Sequence, residues 1–201
     1  MVNDIDAGGV LAKNIGFVDY FFPVTIPANK SVRARARATI GSDTVLVGIR
    51  LVQDPITAIG AATVVTYGAV LASSRGTLIT SGTNAYGAFV QLGTTSAQHN
   101  FWCIGVDPGS DTIVNTRHML IQLGTGANAG SAVAFPNTWS VTQSSVEEIT
   151  SIRPLIVYQP VASGQNLWAR VAAGDTTDIP GIIAYGVTLA TITGGSFAGR
   201  S

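Results

Sequence analysis

The clearest pattern of apolar and polar positions lies in Ile26 to Ile40, IPANKSVRARARATI. A turn from Pro27 to Lys30 leads into strict alternation. Val32, Ala34, Ala36 and Ala38 fall on one side and Arg33, Arg35 and Arg37 on the other, because strand side chains repeat every second residue. The pattern predicts a strand with one apolar and one cationic face. A weaker version returns as VASGQNLWARVAA, Val161 to Ala173. Aligned without gaps, Val32 falls on Leu167, Ala34 on Ala169, Arg35 on Arg170 and Ala38 on Ala173, and beyond the strand Asp43 falls on Asp178. The position of Arg33 is taken by Trp168. The repetition suggests one β-unit used twice.

The rest of the chain reads in the same language. Phe17 to Ile26 is aromatic and β-branched and predicts a strand, with Pro23 marking an edge or bulge. Val45 to Val52 is almost continuously apolar, the pattern of a strand covered on both faces. Further strands are predicted over Thr63 to Leu71, Thr77 to Thr80, Ala85 to Leu92, Phe101 to Val106, Asp111 to Thr116 and Arg117 to Leu123. Short extended pieces follow at Ala132 to Phe135 and Thr138 to Val141, then closing strands over Leu155 to Val161, Gln165 to Ala172 and Ile182 to Ile192. Gly, Pro, Asn and Asp clusters separate them, such as Asp107-Pro108-Gly109-Ser110. The only helical signal is a capping box at Ser144 to Glu148, enough for one turn.

Short strands between turn signals predict an all-β fold. With the internal match, the expectation is two related antiparallel, jelly-roll-like β-sandwich units with little helix. The first would span residues 16–98 and the second 99–193, after an N-terminal arm at 1–15 and before a flexible tail at 194–201.

Composition changes this picture in one respect. Of 201 residues only 11% are charged and 46% are hydrophobic, against roughly 25% charged in a typical domain. Such a surface is expected to be covered by neighbouring subunits. The formal net charge of zero disfavours direct nucleic-acid binding. No apolar run approaches the ~20 residues of a membrane helix, and the start MVNDIDAGG has no signal-peptide pattern. Cys103, the single cysteine, lies inside the apolar run FWCIGV and reads as a buried small hydrophobe.

Candidate chemistry is sparse. His99 and His118 have no second His or Cys at metal-ligand spacing, and both read as surface histidines. There is no G-x-S-x-G elbow to hold a nucleophile. Asp107 with Asp111, and Asp175 with Asp178, lack the spaced oxygen ligands of a calcium loop. The glycine-rich Gly124 to Gly130 is followed by a β-like, proline-containing stretch rather than by the helix a phosphate loop needs. No catalytic residue, metal or cofactor is expected. Arg33, Arg35 and Arg37 would repel one another on one strand face unless water or carboxylates answer them, which marks that face as solvated or as a subunit interface. Arg170, Trp139 and Trp168 complete the set of candidate interface residues. The tryptophans read as core or interface anchors ahead of a sugar platform.

The segment Thr66 to Ala97, TYGAVLASSRGTLITSGTNAYGAFVQLGTTSA, resembles tailed-bacteriophage virion proteins through Gly76-Thr77, Thr83-Asn84, Gly87 and Phe89. HMLIQLGTGANAGS and IRPLIVYQPVASGQNLWARVAA are similar to such proteins as well. Phe89 stands where the pattern usually has Trp, and Asn29 where the first hairpin usually has Gly. The resemblance implies a β-sandwich structural component of a virion. The leading expectation is a non-enzymatic capsid decoration, or cement, protein on the capsid surface, bound to the major capsid protein or other virion proteins. It would act as a homo-oligomer, with a trimer expected because capsid lattices offer three-fold sites. The alternative is a tail or baseplate adhesion module binding a host-surface glycan.

Overall fold

The computed structural model describes residues 26–34, 49, 62–72, 75–107, 117–143, 149–153, 156–174 and 178–189. The predicted strands at Phe17 to Ile26, Val45 to Val52 and Asp111 to Thr116, and the helical turn at Ser144 to Glu148, lie wholly or almost wholly outside these residues, as do Arg35 and Arg37.

Thirteen strands are described: β1 Ala62–Tyr67, β2 Ala69–Val70, β3 Arg75–Leu78, β4 Gly82–Thr83, β5 Val90–Thr94, β6 His99–Asp107, β7 Arg117–Thr125, β8 Val133–Ala134, β9 Trp139–Gln143, β10 Ile149–Arg153, β11 Val157–Val161, β12 Asn166–Ala173 and β13 Gly181–Leu189. A 3-10 turn at Ala129–Ser131 is capped by Asn128, whose side chain accepts from the Ser131 N–H. The all-β expectation holds.

The strands form two sheets. One is six-stranded, in the order β11-β6-β13-β3-β2, with β1 also paired to β13. The other is seven-stranded, in the order β10-β9-β7-β12-β4, with β5 on β12 and β8 on β7. Pairing is antiparallel throughout except between β12 and β4. Their facing sides share one core. Tyr67, Trp102, Ile104, Val106, Ile182 and Ala184 of the first sheet meet Met119, Ile121, Leu123, Trp139, Val141, Leu167, Ala169 and Val171 of the second.

This topology bears on the expected boundary at residue 98. β1 pairs along β13 and β5 along β12, so strands from both sides of that position build the same two sheets. The described strands form one sandwich-like body around a common core.

The two sheets differ in their outer faces, and the sequence carries the reason. In β7 and β12 apolar and other residues alternate, so Met119, Ile121, Leu123 and Leu167, Ala169, Val171 face the core while Leu120, Gln122 and Arg170 face out. In β6 and β13 apolar residues run on without alternation, and the outer face is buried too. Val64, Phe101, Cys103, Ile183, Tyr185 and Val187 form a second apolar cluster there, with Ala69 and Ile156 packed against it. Burial raises the Cys103 thiol to about 11, which keeps it protonated and inert.

Two connections depart from the expected strands. The run Thr63 to Leu71 is broken at Gly68, where φ is +82° and an added Cβ would lie 2.7 Å from the Ile182 carbonyl oxygen. Only glycine fits there. The predicted strand Ala85 to Leu92 starts as a strand only at Val90. Before that the chain runs beside β12, with the Asn84 N–H donating to the Ala173 carbonyl (2.7 Å) and the Gly87 N–H to the Val171 carbonyl (2.9 Å).

The opening segment behaves differently from its pattern. Asn29 sits in the turn at φ 62°, a conformation asparagine tolerates. Residues 31–34, however, form no ladder, and both parities are exposed. Ile26 is 41% and Val32 42% exposed, so the apolar side is not packed on the sandwich. Ile49, from the run read as doubly covered, is 52% exposed.

Candidate functional site

The second sheet's outer face gathers the most specific arrangement of side chains. In the register of β12 with β7, Arg170 lies opposite Gln122 and Trp168 opposite Gly124. Both Arg170 and Gln122 therefore point away from the core, side by side. The Arg170 Nε and Nη2 both donate to the Gln122 Oε1, at 3.0 and 2.7 Å. Gln122 is oriented in turn, its Nε2 donating to the Phe135 carbonyl at 2.9 Å.

The segment before β5 supplies the other two walls. The Arg170 guanidinium lies 4.6 Å from the centre of the Tyr86 ring and 4.5 Å from that of Phe89. Cation and ring quadrupoles attract at such distances. The Tyr86 hydroxyl is tied to the Thr138 hydroxyl at 3.1 Å. The Phe89 ring lies 3.1 Å from where a Cβ on Gly124 would be, so glycine makes room for it. Arg170 is thus held by one amide and two rings. Among the described residues, its hydrogen bonds run from Nε and Nη2 alone.

The other sequence-predicted residues fall in different places. Trp168 is 9% exposed and donates its indole N–H to the Gly126 carbonyl at 2.9 Å, which ties β12 to the glycine-rich loop. Trp139 is wholly buried in the core, because in the β9–β7 register it is opposite the inward Ile121. It packs the interior instead of a subunit surface, and its Nε1 has no hydrogen-bond partner. Arg33 lies on the exposed segment, well apart in sequence from this face, and Arg35 and Arg37 lie outside the described residues. The structure therefore brings together Arg170 and Trp168 among the candidates, and adds Tyr86, Phe89 and Gln122. The sequence signal for the pair of aromatics was Tyr86 and Phe89 flanking Gly87, but nothing in it shows that they close on an arginine far along the chain.

His99 also differs from expectation. It is fully buried rather than a surface histidine, as the first residue of β6. Its hydrogen bonds form a directed chain. The Ser96 N–H donates to the Tyr67 hydroxyl oxygen at 3.2 Å, and that hydroxyl lies 2.6 Å from the His99 Nε2. On the other side the Thr188 hydroxyl donates to the Gln98 carbonyl at 2.6 Å and lies 3.1 Å from the His99 Nδ1. With the threonine proton committed, Nδ1 is the donor to Thr188, and Nε2 accepts from Tyr67. Trp102 lies edge-on to the imidazole, with ring centres 5.0 Å apart. Burial lowers the His99 pKa from its ordinary 6.5. His118 is exposed and near Thr142.

The carboxylates considered for a cation are structural where described. Asp107 is buried and accepts from the Gly76 N–H at 2.8 Å, and it packs against Gly181, where any side chain would collide with it. Asp178 is buried as well. Among the described residues, no three His, Cys, Asp or Glu side chains gather in a metal-binding group. No protein-family model, curated protein or solved structure matches the chain.

Proposed function

We propose that this chain is a non-enzymatic virion structural protein, a capsid decoration protein that works as a homo-oligomer bound to other virion proteins. The observation that carries the reading is apolar surface left open by a single chain. In the segment 26–34, Ile26 and Val32 are 41% and 42% exposed beside the exposed cations Lys30 and Arg33. Elsewhere Leu71 is 58%, Val133 72% and Tyr158 74% exposed. A chain with only 11% charged residues has little to keep such surface soluble, and neighbouring subunits are the natural cover. The virion context comes from the resemblance carried by Gly76-Thr77, Thr83-Asn84, Gly87 and Phe89.

The mechanism would be mechanical. Each copy would bury a modest apolar area against its neighbours, and several copies joined in an oligomer would hold the lattice through multivalency. A trimer is proposed because capsid lattices offer three-fold sites. The adhesion alternative gains no observation, since Trp139 is in the core and Trp168 is nearly covered.

The test is the mass of the purified chain by light scattering, together with its location in the intact particle by electron microscopy. A multiple of the chain mass and density on the capsid exterior are expected. A strict monomer found nowhere on the capsid overturns the reading.

A further inference from the structure

We propose that His99 is an acid-sensitive latch at the end of the sandwich where two sheet-to-sheet crossings meet, and that protonating its ring frees those crossings before the chain as a whole unfolds. The latch belongs to a single chain and is independent of the assembly reading.

The crossings run side by side. Residues 95–98 carry the chain from β5 in the second sheet to β6 in the first, and residues 162–165 carry it back from β11 to β12. They meet the first sheet together, because His99 is the register partner of Val161, and the second together, because Thr94 is that of Asn166. Thr95, only 2% exposed, binds one to the other. Its N–H donates to the Gln165 carbonyl at 2.8 Å, and its carbonyl accepts from the Gly164 N–H at 2.7 Å. Its hydroxyl donates to the Ala162 carbonyl at 2.7 Å and accepts from the Gln165 N–H at 2.9 Å.

The His99 ring fastens this knot to the first sheet. The Ser96 N–H ends on the Tyr67 hydroxyl of β1, and the Gln98 carbonyl holds the Thr188 hydroxyl of β13. Those two hydroxyls stand on the two nitrogens of the imidazole. One neutral ring thus joins the crossing to two strands.

A second ring proton undoes the arrangement. The Tyr67 hydroxyl proton loses its acceptor at Nε2, and with Tyr67 displaced the Ser96 N–H loses its own. The groups around the ring are Tyr67 from β1, Thr188 and Gly186 from β13, Val161 from β11, Ser96 and Gln98 from the crossing, and Trp102 from β6 itself. Of these Tyr67 is the one titratable group, and a phenol is uncharged in acid. Burial opposes the imidazolium in such a site. Relief is near, because the crossings lie at the surface: Ser96, Gln98 and Ala162 to Gln165 are exposed. Lifting them brings water to the ring without parting the core, so the proton is gained by local opening.

The test is amide exchange of the full chain, followed by NMR from about pH 7 to about pH 5 in low urea, with rates corrected for their intrinsic pH dependence. The amides of Ser96, Gly164 and Gln165 are expected to exchange through an opening that urea barely affects, since little surface is exposed. Their protection should fall about tenfold per pH unit between 6.5 and the pH at which the folded ring titrates, and level off below it. Amides of β7 and β9 should stay at least about tenfold better protected throughout. His99→Gln should abolish the slope at the three crossing amides, and His118→Gln, at an exposed histidine, should leave it unchanged. If His99→Gln does not fold, the wild type decides alone: its His99 ring resonances must titrate where the slope levels off. Crossing amides as protected as those of β7, and released only by urea, overturn the latch in favour of global unfolding. Protection without a pH slope overturns it too, as does a slope that survives in His99→Gln or ends away from the titration of the ring.

Discussion

At the scale of single residues, His99 shows how a polar group becomes part of a core. Its ring lies among Tyr67, Trp102 and Thr188, where the beginnings of β6 and the ends of β1 and β13 meet. Every donor in the chain Ser96–Tyr67–His99–Thr188–Gln98 has an acceptor only while the imidazole is neutral. A second ring proton would face the Tyr67 hydroxyl and bury a charge. The unfolded chain takes up that proton near the ordinary 6.5, the folded one at a lower pH. His99 thus contributes stability in full above 6.5, and the contribution shrinks as pH falls below that value towards the folded pKa. Urea midpoints measured down from neutral pH should decline over this window in the wild type and much less in His99→Gln. Gly186 is the matching constraint from β13, since an added Cβ would lie 2.7 Å from the His99 ring. Gly186→Ala should cost about 1–3 kcal/mol in unfolding free energy, through displacement of the ring. His99 reads as a surface residue in the sequence because Gln98, His99 and Asn100 are polar neighbours. Nothing local shows that Tyr67 and Thr188 stand ready to satisfy both ring nitrogens.

At the scale of elements, the strand patterns were legible and the partners were not. Continuous apolar runs in β6 and β13 announce a sheet buried on both faces, and alternation in β7 and β12 announces one open face. The strands read from Phe101 to Val106, Arg117 to Leu123, Leu155 to Val161 and Gln165 to Ala172 all exist, each shifted or extended by a residue or two. Residues 85–89 read as the start of a strand because their side chains suit one, and the structure begins the strand only at Val90. In the structure the segment sets Tyr86 and Phe89 against Arg170, and hydrogen bonds from Asn84 and Gly87 to β12 hold it there. Phe89→Ala removes one wall of this clamp and should cost about 1–2 kcal/mol. Amide exchange at Gly87 should speed up more than exchange within β6, and equal acceleration everywhere would mean that the clamp holds nothing local.

At the scale of the whole molecule, the interest moves to the surface the sandwich does not cover. The alternating segment beginning at Ile26 predicts a strand with one apolar and one cationic face, and its described part, residues 26–34, lies open on both sides. Under the assembly reading, Arg33→Ala with Arg37→Ala should lower the oligomer mass or its capsid affinity while leaving the thermal midpoint of the isolated chain within a few degrees. A lost fold with no specific assembly defect would show that these arginines are structural. Ile26→Ser with Val32→Ser should act in the same direction, because exposed apolar side chains lose little when a lone chain is made more polar there.

The sequence by itself determined the class of this protein. Its strands, its turns and the positive-φ asparagine at position 29 are local matters of side-chain period and backbone sterics. Tertiary structure decided which strands share a sheet, that β1 and β5 join β13 and β12 across the expected boundary at residue 98, and that Trp139 is core. It also decided that Arg170 meets two rings from the other part of the chain. Those outcomes depend on contacts between residues far apart in sequence, and a period of two along one strand says which face a side chain takes but not what that face will meet.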